Sequence, residues 1–136
     1  MNRELVFQTR RQGLLEITDE VQSVISSERV LEGLCTVFVL HTSASLLIQE
    51  NADPTAKQDL ENWLNRLVPY DESFRHSAEG PDDMPSHIKA ALTATSLGIP
   101  ILGGVLALGT WQGVYLFEHR SSPHRRKVLV NLISTR

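Results

Sequence analysis

Five histidines supply the side chains of this sequence that are best suited to metal binding or acid–base chemistry. They stand at the end of an apolar run, on either side of an acidic stretch and near the last turn: His41, His76, His87, His119 and His124. Neutral imidazoles are common Zn²⁺ ligands, and a catalytic zinc site uses three protein ligands with one open position. None of the spacings is a zinc signature by itself, but three of these histidines would suffice for a metal site.

Carboxylates accompany two of the histidines in the pattern His76-x-x-Glu79-x-x-Asp82-Asp83-x-x-x-His87. Carboxylates beside imidazoles orient metal-ligating rings or move protons. The alternative interpretation is a solvated loop, because lone histidines on polar segments and acidic stretches are usually exposed. From spacing alone, a metal centre and an exposed acidic loop both remain open.

Two further segments are suited to binding a substrate. The hydroxyls and amides of segment 42–45, which contains Ser43, could hold an anion with Arg125 or Arg126 as counter-charge, or could simply cap a turn. In Gly104-x4-Gly109-Thr110-Trp111-Gln112, the glycines permit close backbone approach and the indole offers a flat apolar surface, although a tight turn explains the same pattern. No Gly-rich phosphate-loop motif occurs, so a nucleotide hydrolase is disfavoured.

The composition limits the classes of protein that fit. The 136 residues match one domain, 1–136, and 41% of them are apolar, as in ordinary globular proteins. The 13 Lys+Arg against 16 Asp+Glu give a formal charge of −3, which disfavours nucleic-acid binding. No apolar run is long enough to span a membrane and no secretory signal is present, so with the single Cys35 in an apolar setting we expect a cytoplasmic protein.

Hydrophobic periodicity predicts the elements that position these residues. Three amphipathic helices are expected, one capped by Thr18 or Asp19, one opened by Pro54 and one opened by Pro85. Short β-type runs fill much of the rest, and the run 34–40 is expected to be buried on both faces. The pattern indicates an α+β fold with a largely antiparallel sheet or sandwich. The predicted strand segments are 3–17 as a hairpin, 34–40, 44–49, 99–102, 105–108, 114–118 and 127–133.

Taken together and in this order, the motifs resemble the YjbQ family. They are His41-Thr42-Ser43-Ala44, Glu50-Asn51-x-Asp53, the histidine and carboxylate pattern, and Ser96-x2-Ile99-x-Ile101-x2-Gly104-x4-Gly109-Thr110-Trp111-Gln112-x-Val114. The last string matches the family signature at every fixed position, and the resemblance runs from about residue 17 to residue 133. Two stretches depart from the family pattern, Ser43 with Ser45, and segment 119–126.

The resemblance implies an α+β fold with a β-sandwich core, a homotrimer, and a site near subunit boundaries. It implies a divalent metal, with zinc expected, at His41, His76 and His87. It also implies a weak thiamine-phosphate synthase activity, which joins hydroxymethylpyrimidine diphosphate to a thiazole phosphate and releases pyrophosphate. The remaining site residues expected on this basis are Glu79 and Asp82 in catalysis, and Ser43, Asp83, Thr110, Gln112 and Arg125 in binding a small phosphorylated metabolite. The alternatives are a metal-dependent phosphoesterase and a non-catalytic metal-binding or ligand-binding trimer.

Overall fold

The computed structural model describes residues 1–135, and within them it contains three helices and eight strands. The strands are β1 (Asn2–Thr9), β2 (Gly13–Glu16), β3 (Glu32–Val39), β4 (Ala44–Glu50), β5 (Ser96–Leu102), β6 (Val105–Leu106), β7 (Gln112–Glu118) and β8 (His124–Ser134). The helices are α1 (Thr18–Glu28), α2 (Pro54–Leu67) and α3 (Asp83–Leu92). None of the helices in the described part of the chain is long and apolar enough to cross a membrane.

The strands form two antiparallel sheets, which confirms the predicted fold class. One sheet has the order β1-β8-β3-β5-β6 and the other has the order β2-β7-β4. Side chains of both sheets meet in one apolar core, to which α1 also contributes; it includes Val21, Val37, Leu46, Leu116 and Val130. The two sheets therefore pack face to face, with the main core between them.

β7 is buried on both faces because α2 and α3 cover the outer side of the three-stranded sheet. Successive strand residues point to opposite sides. Leu116 thus belongs to the core between the sheets, whereas Tyr115 and Phe117 pack with Leu64 of α2 and Ile88 of α3 in a second cluster. The layers are the five-stranded sheet, the three-stranded sheet and a pair of helices.

β3 is buried on one face only. Its residues Cys35, Val37 and Val39 lie in the core, and burial raises the pKa of the Cys35 thiol to about 11, which fits a structural cysteine. On the other face, Leu34 and Phe38 are 41% and 40% exposed. The prediction of a strand buried on both faces is therefore wrong for a single chain, because no layer of residues 1–135 covers the outside of the five-stranded sheet.

The helix starts follow the predicted chemistry at α2 but not at α1. Asp53 caps α2, since its Oδ1 accepts a hydrogen bond of 2.9 Å from the backbone N–H of Thr55, and Pro54 occupies the first turn. At α1 no side chain caps the helix. The Thr18 hydroxyl instead accepts a hydrogen bond of 2.9 Å from the N–H of Val114, which ties α1 to β7. The predicted cap at Thr18 or Asp19 is therefore wrong.

Candidate metal centre

α3 begins at Asp83, two residues before the predicted start at Pro85, and this places two candidate ligands on one helix face. Asp83 and His87 are four residues apart, so their side chains are neighbours one turn along the helix. Ser86 fastens this turn to the end of β7, because its buried hydroxyl donates a hydrogen bond of 2.9 Å to the carbonyl oxygen of His119. The helix thus presents a carboxylate and an imidazole from a rigid position.

His76 completes a cluster with these two residues from the loop that precedes α3. Its Nε2 lies 2.6 Å from Oδ2 of Asp83, and the same oxygen lies 3.1 Å from Nε2 of His87. One potential ligand atom of each of the three residues lies within 4.8 Å of the others. Among residues 1–135 this is the group of histidine and acidic side chains that is arranged to hold a metal ion.

The orientation of the His87 ring is fixed by its other nitrogen. Nδ1 of His87 lies 2.8 Å from the backbone carbonyl oxygen of Thr42. A carbonyl oxygen only accepts, so Nδ1 carries a proton and donates it. In the neutral ring Nε2 is then an unprotonated lone pair, and it faces the carboxylate of Asp83. Two acceptors face each other in this arrangement unless the ring is protonated or a cation lies between them.

Arg120 holds the carboxylate of Asp83, and that of the neighbouring Asp82, in place. Its guanidinium donates to Oδ1 of Asp83 at 2.9 Å and to Oδ2 of Asp82 at 3.1 Å. A third hydrogen bond of 2.8 Å reaches the carbonyl oxygen of Glu79 in the loop. Sequence analysis did not single out Arg120; the available signal was a charged Glu118-His119-Arg120 string at the end of a strand buried on both faces.

These contacts keep both aspartates ionised. Burial alone would raise the pKa of Asp83, but the hydrogen bond from His76 and the charges of His87 and Arg120 outweigh burial and lower it. Burial also opposes ionisation of Asp82, yet the N–H of Ser121 and the guanidinium of Arg120 lower its pKa to about 2. Asp82 is therefore a carboxylate fully engaged with donors, whereas Oδ2 of Asp83 is turned toward the imidazoles.

His41, the third predicted histidine ligand, lies beside the cluster. It shares an open pocket of about 530 Å³ with His87, lined also by Thr42, Ala90, Ala91 and Thr95. Nε2 of His41 accepts a hydrogen bond of 2.8 Å from the N–H of Lys127. Burial, helped by the charge of Arg126, lowers the pKa of His41, so the ring is neutral with its proton on Nδ1. In this conformation neither nitrogen offers a free lone pair.

Ser43 is buried, and its hydroxyl is paired with Arg126 rather than Arg125. The Arg126 guanidinium donates to the Ser43 hydroxyl at 3.0 Å and forms a bidentate ion pair with Glu118 at 2.8 and 2.5 Å. Arg125 is exposed on the opposite face of β8. The two residues predicted to meet a substrate phosphate together thus point in different directions.

The remaining predicted residues lie at varied distances from the cluster. Glu79 is exposed in the loop between α2 and α3, close to the aspartates through Arg120. Gln112 pairs with Glu50 at one end of the β4 and β7 ladder, whereas Glu118 pairs with Ala44 at the other. Six residues of strand span about 20 Å, so within one chain Thr110 and Gln112 lie far from the histidines.

Comparison with known proteins identifies relatives along nearly the whole chain. The family model described as UPF0047 protein YjbQ-like matches residues 3–135. A UPF0047 protein of Synechocystis sp. is 54% identical over 129 residues, which cover 94% of this chain and 88% of that protein. The UPF0047 protein YjbQ of Salmonella typhimurium is 42% identical over 131 residues, which cover 96% of this chain and 95% of that protein.

Solved structures show the same fold. A crystal structure of an uncharacterized conserved protein of the yjbq/upf0047 family from Clostridium acetobutylicum has a TM-score of 0.89 at 36% identity and covers 96% of this chain and 99% of its own. A conserved hypothetical protein from Thermus thermophilus has a TM-score of 0.86 at 36% identity with the same coverage. The names of these relatives state no activity.

Proposed function

The chain belongs to the UPF0047 family of YjbQ-like proteins, and from this premise we propose that it is a metal-dependent enzyme acting on a small phosphorylated metabolite. In this proposal a divalent ion is held by His76, Asp83 and His87. The family names give no reaction, so the proposal is carried by the geometry of the cluster and not by analogy with a known activity.

The arrangement around His87 is the observation that carries the proposal. Its proton on Nδ1 is committed to the carbonyl oxygen of Thr42, which leaves the lone pair of Nε2 directed at Oδ2 of Asp83. With the ring neutral, a divalent ion held by His87 and Asp83 would replace that repulsion by two favourable bonds. A backbone carbonyl behind a ligating imidazole is the usual way in which proteins fix the ligating tautomer.

The ligand set fits a divalent transition metal. Two imidazoles and one carboxylate are ligands of catalytic Zn²⁺ sites, and the same set binds other first-row divalent ions. Zn²⁺ stays the ion we expect from the sequence, with Asp83 in the place first expected for His41. Three protein ligands leave positions open toward solvent, where His76 has an exposed side chain.

The protein groups around the cluster have distinct tasks in this proposal. A divalent ion, when bound, supplies Lewis acidity toward a phosphoryl oxygen. Arg120 keeps Asp83 ionised and correctly turned, and the pocket beside His87, walled by Ala90 and Ala91, receives the apolar part of the substrate. In this proposal Glu79, which is exposed in the loop beside the aspartates, exchanges a proton with the reacting group.

Two reactions fit such a site. The first is the thiamine-phosphate synthase reaction expected from the family resemblance, in which a thiazole phosphate displaces pyrophosphate. In the second, water takes the place of the thiazole and the protein is a phosphoesterase. Both use the metal and a phosphorylated substrate, but the synthase breaks a carbon–oxygen bond and releases pyrophosphate, whereas the phosphoesterase adds water at phosphorus and releases an alcohol and inorganic phosphate. Release of pyrophosphate that requires the thiazole phosphate identifies the synthase, and release of phosphate in its absence identifies the phosphoesterase.

The uncovered face of the five-stranded sheet supports the proposed homotrimer. Apolar side chains from three strands lie there exposed: Leu34 and Phe38 of β3, Leu102 of β5 and Ile133 of β8. Contiguous exposed apolar area of this kind marks a surface that another protein covers. In a trimer, a neighbouring copy could also bring Thr110 and Gln112 toward the histidines, which one chain does not do. We also propose a cytoplasmic location for the protein.

Elemental analysis of untagged protein, combined with turnover of the two candidate substrates, tests the function. We expect about one divalent ion per chain, and pyrophosphate or phosphate release that depends on it. Protein that takes up no divalent ion after incubation with zinc and washing would exclude the proposal. Metal at full occupancy without turnover of any phosphorylated substrate would leave a non-catalytic metal-binding protein.

A further inference from the structure

Lys89 is a buried charged side chain that the proposed metal centre does not use. Its relative exposure is 4%, and its Nζ donates a hydrogen bond of 2.5 Å to Oδ1 of Asn65 in α2. Lys89 follows His87 by two positions in α3, and two residues turn a helix by about 200°. The lysine therefore faces α2, on the side of α3 opposite His87.

The ammonium of Lys89 has fewer partners than its charge requires. An ammonium carries three N–H donors. Within residues 1–135, the hydrogen bond that Lys89 donates goes to the neutral amide of Asn65. The ion pairs of the described chain involve other residues. Asp82 acts on it electrostatically, but the oxygens of that carboxylate are bound by Arg120 and Ser121. A buried cation without an anionic partner is costly, so an anion beside it would be stabilising.

A polar pocket of about 280 Å³ adjoins this ammonium. That volume is close to the lower end of the range for small-molecule sites. The walls include Arg11 and Gln12 from the β1–β2 turn, and the side-chain amides of Gln58 and Asn62 from α2. One carboxylate, Glu61, also borders the pocket, and its Oε2 accepts the N–H of Leu14 at 3.0 Å. The pocket is thus lined by two cations, Lys89 and Arg11, by residues with N–H donors, and by one carboxylate that already accepts a hydrogen bond.

His119 is a second, independent sign that polar groups behind this pocket lack partners. Its side chain is buried, and its ring lies tilted by 43° against that of Phe117, with the ring centroids 4.5 Å apart. Phe117 lines the pocket, and the charge of Lys89 acts on His119. Its Nδ1 is the buried side-chain polar atom without a hydrogen-bond partner in residues 1–135. Buried polar atoms are normally satisfied, so the region behind Phe117 contains a polar group with unused hydrogen-bonding capacity.

We propose that the hollow between α2, α3 and the β1–β2 turn binds a small oxyanion, a phosphate or a carboxylate. The Lys89 ammonium and the Arg11 guanidinium supply charge-assisted hydrogen bonds, and the amide of Asn62 supplies a neutral one. This site is separate from the metal centre because α3 lies between them. Anion binding at this site therefore does not depend on the proposed enzymatic function.

Lysine NMR on the full-length protein tests the site directly. The chain has three lysines, Lys57, Lys89 and Lys127, so labelled lysine gives few side-chain signals to assign. The protein is first stripped of metal with a chelator, and inorganic phosphate or acetate is then added at constant ionic strength. We expect a saturable shift of the Lys89 signal with at least one of the anions and unchanged Lys127. A phosphate-only response assigns phosphate, and a response to acetate assigns a carboxylate.

Variants connect the response to the pocket. Calorimetry with the responding anion should show binding at least about tenfold weaker in Lys89→Met and several-fold weaker in Arg11→Gln, because each loses one charge-assisted bond. His87→Ala should bind the anion like the unmodified protein, which separates this site from the metal centre. If Lys89→Met does not fold, anion binding by Arg11→Gln and the shift of the Lys89 signal in the unmodified protein test the site instead. Unchanged binding in Lys89→Met, a Lys89 signal that neither anion moves, or loss of binding in His87→Ala would overturn the proposal.

Discussion

His87 and Thr42 are joined by a hydrogen bond of 2.8 Å between Nδ1 of the imidazole and the backbone carbonyl oxygen. The contact links α3 to the segment that follows β3, two parts of the chain separated by 45 residues. It decides the tautomer of His87 and turns Nε2 toward Asp83. The chemistry proposed for the cluster therefore depends on a backbone oxygen, which no side-chain substitution at position 42 removes.

Single substitutions in the cluster should abolish metal binding while the fold persists. In His76→Ala, Asp83→Ala and His87→Ala, loss of one of three ligands should lower the zinc affinity by at least about a hundredfold, since a site with two protein ligands retains little affinity. Elemental analysis after dialysis and a zinc titration with a chelating dye measure the effect. His124→Ala, at a partly exposed histidine outside the cluster, is the matched control and should retain the metal.

His41→Ala decides between the two ligand sets. Because Nε2 of His41 is occupied by the N–H of Lys127, we expect this variant to retain its zinc within about threefold in affinity. Loss of the ion in His41→Ala would show that the ring rotates to join the site, as the sequence first indicated. Full zinc occupancy in His87→Ala would refute the cluster altogether.

Arg120 should act on the metal through Asp83 and not by contact. Arg120→Gln removes the charge that holds Asp83 ionised and the hydrogen bond to Oδ1, and substitutions behind a ligand typically weaken metal binding about 10- to 100-fold. The same zinc titration measures this loss, with far-ultraviolet circular dichroism to verify the fold. Arg66→Gln, an exposed arginine in the last turn of α2, is the control. Equal zinc affinities in the two variants would leave Arg120 with a structural role alone.

Asp83 shows which part of this site could be predicted from the sequence and which part could not. Helix periodicity and the acidic pattern indicated a helix near His87 and carboxylates beside it. The exact start of α3, two residues earlier than Pro85 suggested, is what puts Asp83 and His87 on one face. Helix ends depend on tertiary contacts, here the bond from Ser86 to the end of β7, and local sequence does not contain them.

Local sequence patterns also do not specify which distant residues contact each other in the fold. The β-type runs and the apolar stripes indicated strands and three helices, because each pattern repeats within a few residues. The hairpin predicted over 3–17 is wrong, since β1 pairs with β8 and β2 pairs with β7. Arg120 reaches Asp83 across 37 positions, and Lys127 engages His41 across 86. Such pairs follow from which strand ends meet, which a single sequence does not specify.

The exposed sheet face should control assembly. Leu34→Glu together with Phe38→Glu places two charges on the outer face of β3, where both side chains are about 40% exposed in one chain. We expect a trimer for the unmodified protein and monomers for the double variant, because burying charge at an apolar interface is unfavourable. Light scattering coupled to size-exclusion chromatography reports the mass. A monomeric unmodified protein, or a double variant that stays trimeric, would contradict this interface.

His119 should make the protein less stable in mild acid. Burial, with the charge of Lys89, lowers the pKa of His119 from 6.5 to about 3, so the folded state holds the neutral ring. The unfolded chain then binds more protons between these values, and stability falls as the pH drops below about 6.5. From about pH 7.5 to about pH 5 this residue alone should cost about 2 kcal/mol in the free energy of unfolding.

The buried carboxylates with lowered pKa values also make the protein less stable as the pH falls. Comparison with His119→Gln therefore isolates the contribution of His119 to this pH dependence. Urea unfolding at both pH values gives the two free energies. The variant should show a smaller loss by about 2 kcal/mol, whatever its stability at neutral pH. Equal pH dependence in the two proteins would mean that His119 is protonated or solvated in the folded state.

The buried pair of Glu118 and Arg126 should be costly to break from either side. Both side chains are almost fully buried, and hydrogen bonds from Arg126 and Thr9 outweigh burial and lower the pKa of Glu118. Arg126→Met leaves the carboxylate without its cation and should destabilise the fold by about 3–5 kcal/mol. In the double variant Glu118→Gln with Arg126→Met no bare charge remains, and about 1 kcal/mol or more should be regained. Urea unfolding of the single and double variants measures the coupling. Strict additivity would mean that the two charges do not stabilise each other, whereas a coupling of about 1 kcal/mol or more would show that they do.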